Sequence, residues 1–165
     1  MYKRQIPSCR IAFDEIFKKA LRKYQVKGFV ISQKDCAKLK PYIYSLAKIA
    51  FCKSGTVNME LALYGIPQIV GYRVSRVTAF IAKKILNFKV KFISPVNLLV
   101  NKLIIPEFVQ QKFDEKNIFY KSCRILEGKS EKIKIKKGYA FLKKELGEEG
   151  VVQSCLLYTS PSPRD

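Results

Sequence analysis

Histidine and tryptophan are both missing from this 165-residue chain, and acidic residues are scarce. Without histidine there is no Ser-His-Asp triad, no Cys-His dyad and no HExxH zinc helix. An acid–base catalyst within the chain would have to be a carboxylate, a lysine, a tyrosine or a cysteine. The five cysteines, Cys9, Cys36, Cys52, Cys123 and Cys155, form no CxxC pair and keep no regular spacing. That pattern argues against a zinc site or a disulfide framework and fits a reducing compartment. No apolar run reaches the roughly 18 residues a membrane-spanning helix needs, so none is expected.

The shortage of acids leaves 13 Asp and Glu against 32 Lys and Arg, a formal charge of +19. Such a field favours polyanions: nucleic acid, anionic lipid or phosphorylated substrates. The lysines are spread along the chain and are densest from Lys129 to Lys144, so most of them read as solvated helix faces. With 48% apolar and 27% charged residues, the chain reads as one globular α/β or α+β domain with a sizeable core.

The two ends stand apart. MYKRQ at the start and CLLYTSPSPRD at the finish resemble translated sequencing-adapter remnants, and neither continues the periodicity of its neighbour. Residues 1–5 and 154–165 are therefore set aside as non-native, leaving 6–153 as the domain and making the chain an expected piece of a longer protein.

Between the ends, helix and strand patterns alternate. Ile11 to Tyr24 carries apolar residues at helical spacing, and VKGFVIS, Val26 to Ser32, reads as a strand. Cys36 to Leu46 reads as a mixed segment in which Pro41 starts a helix carrying Ile43, Leu46 and Ala47. Lys48 to Cys52 reads as a second strand, Thr56 to Tyr64 as a helix closed by Gly65 and Pro67, and Gln68 to Tyr72 as a third strand. Val77 to Leu86 predicts a helix and Lys89 to Ile93 a short strand. Asp114 to Leu126 and Ser130 to Leu146 read as terminal helices. This alternation predicts βαβ units and a Rossmann-like parallel sheet with helices on both faces.

Ligands of such sheets bind beyond the carboxyl ends of the strands. Ser54-Gly55-Thr56 stands at one of those ends. Unpaired amides at a helix start suit a diphosphate, and Gly55 lacks the Cβ that would hold a phosphate away. Ser54 and Thr56 can cap the helix or donate to a ligand, and Glu60 lies one turn deeper, able to accept from a ribose diol. A plain helix cap explains the same residues equally well on spacing alone. The corner has neither a P-loop nor a dinucleotide fingerprint.

The order SGTVNMELALYGIPQIVGYR, VTAFIAKKIL and SPVNLL resembles the carboxyl half of the lipid-A-disaccharide synthase family, most closely from Lys48 to Gln110. The resemblance implies the C-terminal, nucleotide-binding domain of a two-domain GT-B glycosyltransferase, inverting and metal-free. It implies transfer of 2,3-diacylglucosamine from UDP to 2,3-diacylglucosamine 1-phosphate, giving a β-1,6-linked disaccharide 1-phosphate and UDP. On this sequence Ser54, Gly55 and Thr56 would face the diphosphate, Glu60 the ribose and Asn97 the loop beside the diphosphate. Arg73 is a weaker candidate for the same site, and a structural ion pair would explain it as well. Lys53 departs from the family, many of whose members carry a small residue there, and it is expected to point to solvent. The catalytic base, the acceptor site and a glycine-rich loop are expected on an amino-terminal domain that this sequence lacks, so the chain alone is expected to be inactive. The resemblance also implies an anionic membrane surface as partner, at the cytoplasmic face of a bacterial inner membrane or in a plastid-bearing eukaryote's organelle. A second copy of the chain is a further candidate partner.

Two other readings compete. Another GT-B UDP-N-acetylglucosamine transferase or epimerase would keep the corner and the glutamate but not the later motifs in this order. A basic nucleic-acid module would use the nine Lys and Arg that face three Glu between Lys121 and Glu145. It would have to do so without an RNP-type aromatic run, helix-turn-helix spacing or zinc ligands, so no nucleic-acid partner is expected.

Overall fold

Two stretches of alternating strand and helix, Met1–Ala47 and Lys48–Asp165, form separate units in the computed structural model, which describes residues 4–8, 11–73 and 91–147. In the first unit, β1 (Arg4–Pro7) leads through α1 (Ile11–Lys23) to β2 (Gly28–Ile31), and the strands pair in parallel with Arg4 opposite Gly28. Glycine is required at position 28, since a Cβ there would lie 2.6 Å from the Arg4 carbonyl oxygen. Arg4 and Gln5, which the sequence reading set outside the domain, thus hold places in a strand. The unit continues into α2 (Gln33–Leu46), whose start is marked by a Ser32 Oγ hydrogen bond to Asp35 at 2.8 Å. Pro41 lies inside α2 rather than opening it, a correction to the expected start. The ring forbids one backbone hydrogen bond there, and the helix tolerates the loss with flanks that extend well beyond it.

The second unit holds the core. β3 (Ala50–Lys53), α3 (Val57–Leu63) and β4 (Gln68–Tyr72) follow one another as the sequence predicts. Gly65 closes α3 with a left-handed φ of 72°, the conformation that favours glycine. From residue 91 onward come α4 (Pro95–Leu99), β5 (Glu107–Val109), α5 (Glu115–Glu127) and α6 (Lys129–Leu146). The sheet runs β3-β4-β5, all parallel, with Lys53 opposite Gly71 and Tyr72 opposite Val109. Ile69, Val70, Val96, Ile105, Ile125, Ile135 and Leu142 form its fully buried centre. Gly71 and Gly138 let neighbours come close: a Cβ on the first would lie 2.2 Å from the Phe113 ring and on the second 2.4 Å from Ile104. Parallel sheets flanked by helices are the α/β class expected for the carboxyl-terminal domain of a GT-B enzyme.

Two expectations meet the structure differently. The predicted helix Val77 to Leu86 lies outside the described residues, as does 154–165. Of the predicted strand Lys89 to Ile93, residues 91–93 are irregular, and the strand of this region is β5 instead. The Ile93 N–H is taken by a side chain, the Glu107 carboxylate, so it has no place in a ladder.

Candidate functional site

Because β3, β4 and β5 are parallel, their carboxyl ends lie on one edge of the sheet. Ser54-Gly55-Thr56 follows β3 there and Arg73 follows β4. The corner is set by Asn58, fully buried in the first turn of α3. Its Oδ1 accepts from the Gly55 N–H at 2.9 Å, and its Nδ2 donates to Gln68 Oε1 at 3.1 Å, the Lys53 carbonyl at 3.3 Å and Cys52 Sγ at 3.0 Å. Gln68, also fully buried, donates to the Asn58 carbonyl at 2.9 Å and to Tyr139 Oη at 3.1 Å; Tyr139 donates to the Ile66 carbonyl at 2.9 Å. Each buried polar atom in this chain of contacts has a partner, which is the condition for such a network to stiffen a fold. Burial pushes the Cys52 thiol up to about 11, against which the Asn58 hydrogen bond works, so the thiol stays protonated at neutral pH. Tyr139 is raised as well, chiefly by burial.

The two hydroxyls of the corner do not cap α3. Ser54 Oγ donates at 2.5 Å to the Ile93 carbonyl, and Thr56, exposed at the N-cap position, makes no side-chain cap bond. The plain-cap explanation therefore fails for both. Toward an anion Ser54 offers its backbone, because its hydroxyl proton is committed to Ile93. The turn's own hydrogen bonds use the N–H groups of Gly55, Asn58, Met59 and Glu60 and, among the described residues, leave those of Thr56 and Val57 unused. A Cβ on Gly55 would meet nothing within 4 Å among the described residues, and its φ is not left-handed. Among the described residues, neither packing nor backbone geometry asks for glycine here. A glycine so placed leaves room for close approach to the backbone.

Glu60 is half-buried on α3 behind the corner. Arg73 is exposed, makes no ion pair among the described residues, and lines a groove of about 530 Å³ with Phe51, Lys53, Gly71 and Phe113. The Lys53 ammonium lies 5.6 Å from the centre of the Tyr72 ring, a cation–π distance, on an exposed residue.

Asn97 sits elsewhere in the hydrogen-bond scheme. It is fully buried in α4, and its carboxamide is fully used: Oδ1 accepts from the N–H groups of Ile104 and Ile105 at 2.8 and 3.0 Å. Its Nδ2 donates to the Ile105 carbonyl at 2.8 Å and to Glu107 Oε1 at 2.7 Å. Its side chain therefore shapes the loop rather than reaching a ligand. Glu107 also takes the N–H groups of Ile93 and Ser94 at 2.8 and 2.9 Å and the Ser94 hydroxyl at 2.6 Å. Sequence reasoning missed Asn58, Gln68, Ser94, Glu107 and Tyr139. Their signal was polarity out of place: Asn58 shares a helix face with Leu61 and Ala62, and Gln68 opens an otherwise apolar strand. Among the described residues no group of three or more His, Cys, Asp or Glu could hold a metal ion, and no helix is long and apolar enough to cross a membrane.

A family model described as lipid-A-disaccharide synthetase matches residues 2–155. The chain belongs to this family. A relative named lipid-A-disaccharide synthase from Prochlorococcus marinus (strain MIT 9313) is 40% identical over 146 residues, 88% of this chain and 37% of the relative. One of the same name from Gloeothece citriformis (strain PCC 7424) is 37% identical over 131 residues, 79% of this chain and 33% of the relative. A third, from Synechocystis sp. (strain ATCC 27184 / PCC 6803 / Kazusa), is 40% identical over 107 residues, 65% and 27% of the two chains. The chain thus spans about a third of the length of these family members.

Proposed function

We propose that this chain is the UDP-sugar-binding part of a lipid-A-disaccharide synthase. The whole protein transfers 2,3-diacylglucosamine from UDP to 2,3-diacylglucosamine 1-phosphate, with UDP leaving. The observation that carries this reading is the open corner at the end of β3: a glycine against which none of the described residues packs, beside amides that the turn does not use. Thr56 and Val57 receive the diphosphate through backbone N–H groups, joined by the Thr56 hydroxyl; Gly55 lets it approach and Ser54 fixes the turn. α3 has 7 residues, so its dipole is a minor aid; directed hydrogen bonds to the leaving diphosphate matter more. Glu60 accepts from the ribose, and Arg73 adds positive charge at the same sheet edge. Asn97 acts by shaping the neighbouring loop.

The acceptor site and catalytic base belong to the remaining two thirds of the protein, so the isolated chain binds but does not turn over. No metal takes part in this reading. The charge of +19 serves docking at an anionic membrane, at the cytoplasmic face of a bacterial inner membrane or its organellar counterpart, rather than nucleic-acid binding. Self-association is part of the same proposal.

Titration with UDP tests it. Saturable binding is expected, weakened by Glu60→Ala, with no disaccharide formed by the chain alone. Salt-sensitive binding to DNA or RNA that is indifferent to UDP would instead support the basic module.

A further inference from the structure

We propose that Glu107 is a positioning residue for the nucleotide corner, holding the Ile93–Ser94 backbone against which Ser54 is fixed. The inference rests on the UDP-sugar reading above. The link is continuous. Glu107 Oε2 accepts from the Ile93 N–H at 2.8 Å, and the Ile93 carbonyl accepts from Ser54 Oγ at 2.5 Å. Glu107 Oε1 holds three more donors: the Ser94 N–H at 2.9 Å, the Ser94 hydroxyl at 2.6 Å and Asn97 Nδ2 at 2.7 Å.

An ionised carboxylate suits this place because it is the one side-chain group that accepts on both oxygens without presenting a donor. It also explains why residues 91–93 leave the strand pattern. The Ile93 N–H turns toward the carboxylate, and its carbonyl is left for Ser54. The start of α4 is thereby filled by the chain's own negative charge, and the diphosphate is directed to the β3 corner. Glu107 touches no reacting atom in this scheme; it acts through Ile93 and Ser54.

Glu107→Gln cuts the link selectively. The amide oxygen keeps the three donors at Oε1, while the new NH2 group faces the Ile93 N–H, donor against donor. Losing one hydrogen bond to a charged group at the site is expected to weaken UDP binding about tenfold. The experiment is calorimetric titration of the 165-residue chain with UDP, paired with thermal unfolding of each variant. Glu131→Gln is the control for stability alone, since Glu131 pairs with Lys121 at 3.0 Å and Arg124 at 2.8 Å at the α5–α6 junction. It is expected to lower the melting temperature and leave UDP affinity unchanged.

Ser54→Ala removes the other end of the link and is expected to reproduce the loss, with no further loss in the double variant. It also serves if Glu107→Gln fails to fold. UDP affinity at the wild-type value in Glu107→Gln, or in Ser54→Ala where the first variant is unfolded, would overturn the proposal. So would losses that simply follow melting temperature across all variants, Glu131→Gln included. A wild-type chain that binds no UDP would overturn the UDP-sugar reading itself, and this inference with it.

Discussion

Among the described residues, two corners where an irregular loop turns into a short helix are finished in opposite ways. At Ile93-Ser94-Pro95 the start of α4 is closed: Ser94 and Asn97 are fully buried, and a carboxylate occupies the backbone N–H groups. At Ser54-Gly55-Thr56 the start of α3 is open: Asn58 ties the turn from below, Thr56 is exposed, and among the described residues nothing stands opposite Gly55. The Ser54–Ile93 hydrogen bond joins the two. The difference teaches that a helix start is an anion site only where the chain has not already supplied the anion. On the UDP-sugar reading proposed above, polar residues at the closed corner answer for stability and those at the open corner for binding.

The comparison breaks most visibly at Asn97. Asn97→Ala should destabilise the second unit by about 3–5 kcal/mol in urea unfolding, because the Ile104 and Ile105 N–H groups lose their acceptor inside the core. Tyr139→Phe should cost less, about 1–3 kcal/mol, by removing the Gln68 acceptor and the Ile66 donor while filling the same space. A glycine pair sharpens the contrast further. Gly71→Ala drives a methyl into the Phe113 ring and should cost about 1–3 kcal/mol. Gly55→Ala should change stability by no more than about 0.5 kcal/mol and act on UDP affinity instead.

The smallest effect concerns Cys52, which contacts Asn58 beneath the open corner. Its thiol titrates near 9.0 when free and near 11 when folded, so the folded state holds the proton more tightly. That contribution is complete below the lower value and is lost as pH rises through the upper one. Thermal unfolding between pH 8 and about 11 should therefore fall more steeply in the wild type than in Cys52→Ala.

The sequence made some of this legible and hid the rest for physical reasons. β4 was readable from end to end because Gly65 and Pro67 punctuate the chain just before it and its residues are those of a buried parallel strand. The corner was visible because Ser-Gly-Thr between a strand and a helix is locally unusual. Pro41 misled because proline more often opens a helix than sits in one. The stretch around Ile93 misled because its N–H is taken by the Glu107 carboxylate reaching back across the loop, a contact that no local pattern encodes. For the same reason Asn97 looked like a ligand contact: its motif was clear, but the partners of its carboxamide lie seven to ten residues further on.

Amide spectra of the isotopically labelled chain titrated with UDP test the central claim most directly. The account predicts saturable shifts largest at Gly55, Thr56 and Val57, with smaller ones at Ile93 and Ser94. Shifts confined to the lysine-rich face of α6, or none that saturate, would contradict it.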